Sequence, residues 1–205
     1  MGLPEIVISF RTAAETAVTR SSRGVVAMIL DDSTAATKLT KIYKAADIGA
    51  AFTTTNAGYI TTALDNGASC VVAVRAEDAI ADTLALLPAQ NFDWLVFPEA
   101  QAADVTAIVT WIKAQRADGK TFKAIVANAT TPNSEGIVNF TTTGIKNASG
   151  TAVASNVYCA KLAGLLAGAP LDQSLTYHVL DDISEITEST TPDTDIDAGK
   201  FIIIY

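Results

Sequence analysis

Few residues in this 205-residue chain have the type and spacing that chemistry needs. There is one histidine, His178, so no pair of imidazoles is on hand to share a metal ion. A Ser-His-Asp arrangement around His178 would make the chain an α/β hydrolase, with a pocket at the carboxyl ends of parallel strands. No Gly-x-Ser-x-Gly elbow offers the serine, and the plainer reading puts His178 on a strand over 176–180 with an ordinary hydrogen-bonded ring. Asp31-Asp32 and Asp181-Asp182 set carboxylates side by side, as an acid–base pair requires. Both pairs follow apolar runs, where aspartates usually face water, and no neighbour in sequence suggests a shifted pKa. Asp193-Thr194-Asp195-Ile196-Asp197 copies the opening of a calcium loop. Ala198 then stands where the sharp turn needs glycine, and Ile204 where a bidentate glutamate belongs. The stretch therefore reads as a solvated acidic loop, at the end of an acidic Thr/Ser-rich segment over 181–197 that is either a loop or a solvated helix edge. There is no Walker A sequence and no Gly-x-Gly-x-x-Gly, so nothing cradles a phosphate. Cys70 and Cys159 read as buried, reduced thiols. No catalytic, cofactor or metal site emerges, and the expectation is a protein that is not an enzyme.

The elements that would position these residues alternate. The clearest unit covers 92–126. A short apolar run, Trp94-Leu95-Val96-Phe97, is stopped by Pro98. Val105, Ile108, Val109 and Ile112 then recur at helical spacing and share one face. Asp104 near the start and Lys113 and Arg116 near the end suit the helix dipole, and Gly119 marks the stop. A second apolar run, 122–126, follows. Strand, helix and strand of these lengths make a βαβ unit with parallel strands. Upstream, strands are predicted over 24–32, 39–44 and 69–75. Helices are predicted over 56–64 and, capped near Asp78, over 78–87. Downstream come a strand at 136–140, a turn at 147–150 and a helix over 152–167. In that helix Gly164 and Gly168 allow another backbone to approach closely. The fold class is α/β, a mostly parallel sheet flanked by helices. Residues 3–10 read as one more strand, set apart by a Thr/Ala-rich connector. Such a strand either pairs at an edge of its own sheet or adds to a sheet in another molecule.

Composition bounds the partners. Hydrophobic residues make up 49% and charged residues 18%, enough for a core and unlike a disordered chain. A net charge of −8 argues against nucleic acid and against anionic membranes. No apolar run is long enough to span a bilayer, and Met1-Gly2-Leu3-Pro4-Glu5 lacks the basic start of a signal peptide.

Four stretches resemble one family. The first is Gly2-Leu3-Pro4-Glu5-Ile6, the Thr/Ala connector, Arg20-Ser21-Ser22-Arg23-Gly24 and a buried strand ending in Asp31-Asp32. The second is Ser134-Glu135-Gly136-Ile137-Val138-Asn139-Phe140-Thr141, and the third is Cys159 through Ala163-Gly164-Leu165-Leu166-Ala167-Gly168-Ala169-Pro170-Leu171. The fourth is Ile196-Asp197-Ala198-Gly199-Lys200 leading into a strand. Together they resemble the contractile-tail sheath proteins of bacteriophages and phage-like particles of Gram-positive hosts, over essentially the whole chain. The resemblance implies a core called subtilisin-like for its topology, without peptidase activity. It implies an N-terminal arm and connector at 1–23 and an α/β core over 24–205. It further implies that sheath proteins continue past Tyr205 into a C-terminal domain and arm. Subunits of that family polymerise in six-fold discs around a tail tube, exchange terminal arms, and contract to drive the tube through the host envelope. The implied partners are other sheath subunits, a tail tube protein, and baseplate and tail terminator proteins. The implied location is the virion tail, after assembly in the host cytoplasm. Subunit-interface residues are then expected at Leu3, Glu5, Ile6, Val7, Ile8 and Phe10, and at Phe201 and Ile203. Another tail or baseplate component sharing the sheath core is the alternative within this reading.

Overall fold

The computed structural model describes residues 24–34, 37–130, 132–170, 174–176 and 178–204. The expected interface positions Leu3, Glu5, Ile6, Val7, Ile8 and Phe10 lie outside the described residues.

In chain order the elements are β1 (Val25–Leu30), β2 (Leu39–Ile42), α1 (Thr54–Asp65), β3 (Cys70–Arg75), α2 (Ile80–Ala85), β4 (Trp94–Val96), α3 (Ala102–Ala117), β5 (Lys123–Ala127), β6 (Ile137–Phe140), β7 (Thr143–Asn147), α4 (Ser155–Gly168), β8 (Ile183–Thr187), α5 (Pro192–Asp197) and β9 (Lys200–Phe201). Seven strands form one sheet in the order β2-β3-β1-β4-β5-β6-β9. All its pairings are parallel except β2 with β3. The predicted fold class is the observed one.

Residue type explains the layering. β1 is apolar throughout because both faces of a parallel strand are covered. Val26, Met28 and Leu30 join Val71, Ala73, Trp94, Val96 and Ile125 beneath α1 and α4. Ala27 and Ile29 join Val72, Val74, Leu95, Ala124 and Val126 beneath α2 and α3. On α3 the four residues Val105, Ile108, Val109 and Ile112 are buried. Burying four aliphatic side chains contributes about 6–12 kcal/mol before chain entropy is subtracted. The start of α3 is closed by the Gln101 N–H, which donates to the Asp104 carboxylate at 2.9 Å. Its end is marked by Gly119, at φ +80°. α4 crosses α1 so closely that a Cβ on Gly164 would lie 2.4 Å from the Ala63 carbonyl oxygen, and one on Gly168 2.5 Å from that of Gly67. The expected close approach is therefore to α1 of the same chain.

Two local expectations are corrected and a third is narrowed. The helix predicted over 78–87 covers only Ile80–Ala85, and its cap position is Ala79, with no side-chain cap. The buried Thr83 hydroxyl accepts the Glu77 N–H at 2.9 Å, which holds the approach to the helix as a turn. Residues 176–180 are not a strand among the described residues: the His178 N–H donates to the Leu175 carbonyl at 3.1 Å in a turn. The strand comes later, as β8, and pairs antiparallel with β7 to form a separate two-stranded sheet. Only Ile186 of β8 is buried, so its sequence, Ile-Ser-Glu-Ile-Thr, carries too little apolar alternation to stand out. Finally, of the two readings of the acidic segment 181–197, a loop or a solvated helix edge, the second holds for 193–197: they are most of the helix α5, with Pro192 in its first turn and Asp193 and Asp195 on the positive end of its dipole.

Candidate functional site

The strand order reverses at β1, with β3 on one side and β4 on the other. In sheets of this kind ligands bind outside the carboxyl ends of the strands at that switch, often with an anion at a helix N-terminus. Here the chain fills the position itself. Asp32, just past β1, is 3% exposed. Its carboxylate accepts hydrogen bonds from the Thr53 N–H and hydroxyl at the start of α1, at 2.9 and 3.2 Å. It also accepts from the Thr34 N–H and hydroxyl at 2.8 and 2.6 Å and from Asn56 Nδ2 at 2.8 Å. Burial alone would raise the Asp32 pKa, but the bonds from Thr34, Asn56 and Thr53 outweigh it and hold the carboxyl well below the usual carboxylate range. The sequence-based expectation of a solvated, unshifted aspartate is wrong for Asp32, because the helix that receives it starts 21 residues away in sequence. Asp31 is exposed. The two do not act as an acid–base pair: one is committed to structure and the other faces solvent.

Asp181 and Asp182 separate in the same way. Asp181 is exposed, while Asp182 pairs with the Lys161 ammonium of α4 and accepts from the Tyr158 hydroxyl at 3.2 Å. Burial first, then the Asp182 charge, pushes the Tyr158 phenol well above its ordinary range, so it stays protonated and donates to Asp182. This cluster borders a cavity of about 350 Å³ between α1, α4 and the β7–β8 sheet, lined also by Tyr59, Ile145, Val153 and Val157. A second cleft, of about 510 Å³, opens past the ends of β5 and β6. Asn128, Asn139, Thr141 and Thr142 line it, with the Asp195–Lys200 ion pair at its rim. It holds hydroxyls and amides but no histidine or cysteine.

His178 is exposed, lies in neither cavity, and its ring makes no hydrogen bond or ion pair among the described residues. A catalytic base needs an orienting partner, and no triad assembles there. Both cysteines are buried and unpaired, and burial raises each thiol above its ordinary pKa. Neither is a poised thiolate. Among the described residues no group of three or more metal-ligating side chains gathers, and no helix is long and apolar enough to cross a membrane.

What remains is surface, and above all the two edges of the sheet. Among the described residues pairing is contiguous from β2 to β9, so a further strand could add only at those edges. Phe201 lies on β9 at one edge, 36% exposed, with its ring 6.1 Å from Phe140. Ile203 is half-buried against the core under α1 and α4, and its N–H donates to the Thr142 hydroxyl at 2.8 Å. Of these two expected interface residues, Phe201 is thus presented outward and Ile203 anchors the segment. At the other edge, β2 and the residues flanking it expose Lys38, Lys41, Tyr43 and Lys44. Sequence reasoning passed over these lysines, although lysine on a short strand is a signature of a sheet edge.

No protein-family model matches the chain. In sequence it is similar to a tail sheath protein of Clostridium phage phiCD119, with 33% identity over 219 aligned positions, 98% of this chain and 59% of that protein. The chain thus spans somewhat more than half the length of this curated relative. In structure it is similar to a sheath tail protein of Listeria innocua, with a TM-score of 0.76 and 18% identity, over 97% of this chain and 69% of that one. It is also similar to the helical sheath of the anti-feeding prophage in its contracted state, with a TM-score of 0.64 and 15% identity, over 89% of this chain and 58% of that one. At these identities the two structures speak for the fold. The chain is thus similar in sequence, over nearly its whole length, to a phage tail sheath protein, and similar in fold to sheath tail proteins.

Proposed function

We propose that the chain is a structural subunit, or the N-terminal and core portion of one, of a contractile tail sheath. It polymerises around a tail tube and contracts to drive the tube through a host envelope. The observation that carries this reading is the sequence likeness to a phage tail sheath protein along almost the entire chain. The geometry is consistent with a mechanical part. Both faces of the sheet are packed, the anion position at the strand ends is filled by Asp32, and the outward-facing features are edges. In this proposal residues 24–205 form the rigid body and residues 1–23 an arm and connector. Phe201 and the strand residues of 3–10 meet neighbouring subunits, with Ile203 anchoring the segment behind Phe201. The other partners are a tube protein and the baseplate and terminator proteins that close the ends. The location is the tail of a virion or phage-like particle, assembled in the host cytoplasm. No catalytic step and no cofactor enter.

The test is electron microscopy of the purified, complete gene product that contains these residues. Long tubes of uniform diameter are expected. A monodisperse monomer at high concentration would contradict the proposal.

A further inference from the structure

The two edges of the sheet carry opposite charge. On the β2 side Lys38, Lys41 and Lys44 are exposed. Lys38 is paired with Glu77 at 3.2 Å, but Lys41 and Lys44 make no ion pair among the described residues. Asp47, the nearest acid in sequence, does not pair with them. On the β9 side Glu188, Asp193 and Asp197 are exposed, while Asp195 is taken by Lys200. Apolar groups accompany both sets: Tyr43 is 49% exposed on the basic edge, and Ile196, Phe201 and Ile204 are 55%, 36% and 52% exposed on the acidic one. The sheet has seven strands, so at about 4.8 Å per step the two edges stand about 29 Å apart, too far to neutralise each other within one molecule at physiological salt.

We propose that the basic β2 edge of one copy of this chain docks on the acidic α5–β9 edge of the next. The occupant is a second copy because the charges and the apolar groups it needs are both on this chain, at opposite ends of one rigid sheet. Like edges repel, which suppresses β2–β2 and β9–β9 pairing and fixes the polarity of the contact. A contact between unlike faces is heterologous, and such contacts build rings or helical filaments, not closed two-fold dimers. The short length of β9 and the lysines on and beside β2 blunt indiscriminate strand pairing; the opposite signs of the two edges make one pairing selective. This contact deepens the sheath reading, from which it takes its biological meaning.

The test traps the contact in the 205-residue chain. Ala45 and Ala198 are exposed beside the two charge clusters, and the native thiols are buried. Ala45→Cys and Ala198→Cys variants are treated with a flexible bis-maleimide linker, each alone and mixed. Cross-linked dimer is expected to form several-fold faster in the mixture than in either variant alone, and high salt should remove the difference. Adding Lys41→Glu and Lys44→Glu to the Ala45→Cys chain should abolish the preference. Adding Asp193→Lys and Asp197→Lys to its partner should restore it. Equal rates in the mixture and the single variants, or a preference indifferent to charge reversal, would overturn the inference. Tubes from the complete gene product alongside equal cross-linking rates would leave the sheath reading standing and remove this contact; a charge-dependent preference without tubes would do the reverse.

Discussion

Asp32 is the residue whose role is most sharply defined. Its carboxylate ties the end of β1 to the loop at Thr34 and to the first turn of α1 through Thr53 and Asn56. Replacing it with asparagine removes the charge and sets an NH2 group against N–H donors. An unmatched buried group of this kind costs about 2–4 kcal/mol at neutral pH. The pH dependence has a definite sign. The folded-state pKa is depressed, so the stabilisation is fully present above the unfolded carboxyl value of about 3.9 and is lost as pH falls below it. Urea denaturation midpoints of wild type and Asp32→Asn should therefore differ clearly at neutral pH and converge as the solution is acidified below about pH 4. Parallel loss of stability in both proteins would mean that the proton binds elsewhere.

At the scale of elements, the packing of α1 on α4 gives a paired prediction. Gly164 faces the Ala63 backbone, which cannot step aside, so Gly164→Ala should destabilise the protein by about 1–3 kcal/mol despite alanine's better helix propensity. Gly58 lies on the same α1, exposed, with nothing within 4 Å of the Cβ it lacks. Gly58→Ala should stabilise by about 0.5–1 kcal/mol. Thermal unfolding of the two variants should shift in opposite directions, and shifts of the same sign would contradict the crossing. These elements were also the legible ones. α3, β3 and β5 announce themselves through periodicity and valine-rich runs because a two-sided sheet demands them. β7, β8 and α5 leave little pattern, since a half-solvated two-stranded sheet and a six-residue helix bury few apolar residues. Asp32 was misread for a different cause. Its partners Thr53 and Asn56 become neighbours only when α1 folds back over β1, and no local spacing records that. The edge lysines were visible in sequence, but their meaning depends on knowing that β2 lies outermost.

At the scale of the whole molecule, the described residues form an α/β body packed on both faces of its main sheet, with the edges of that sheet turned outward. Its candidate chemical groups are each absorbed by structure or left without partners: Asp32 caps a helix, Asp182 pairs with Lys161, the thiols are buried, and His178 stands apart. That economy suits a part repeated many times along a filament, where shape and polarity carry the function. The most direct measurement of that claim is immunogold labelling of intact contractile tails from particles that carry this gene, with antibody raised against residues 24–204. Gold spaced along the full length of the tail is the expected result. Gold confined to the tip of the tail would make the chain a baseplate component, and particles without gold would contradict the account altogether.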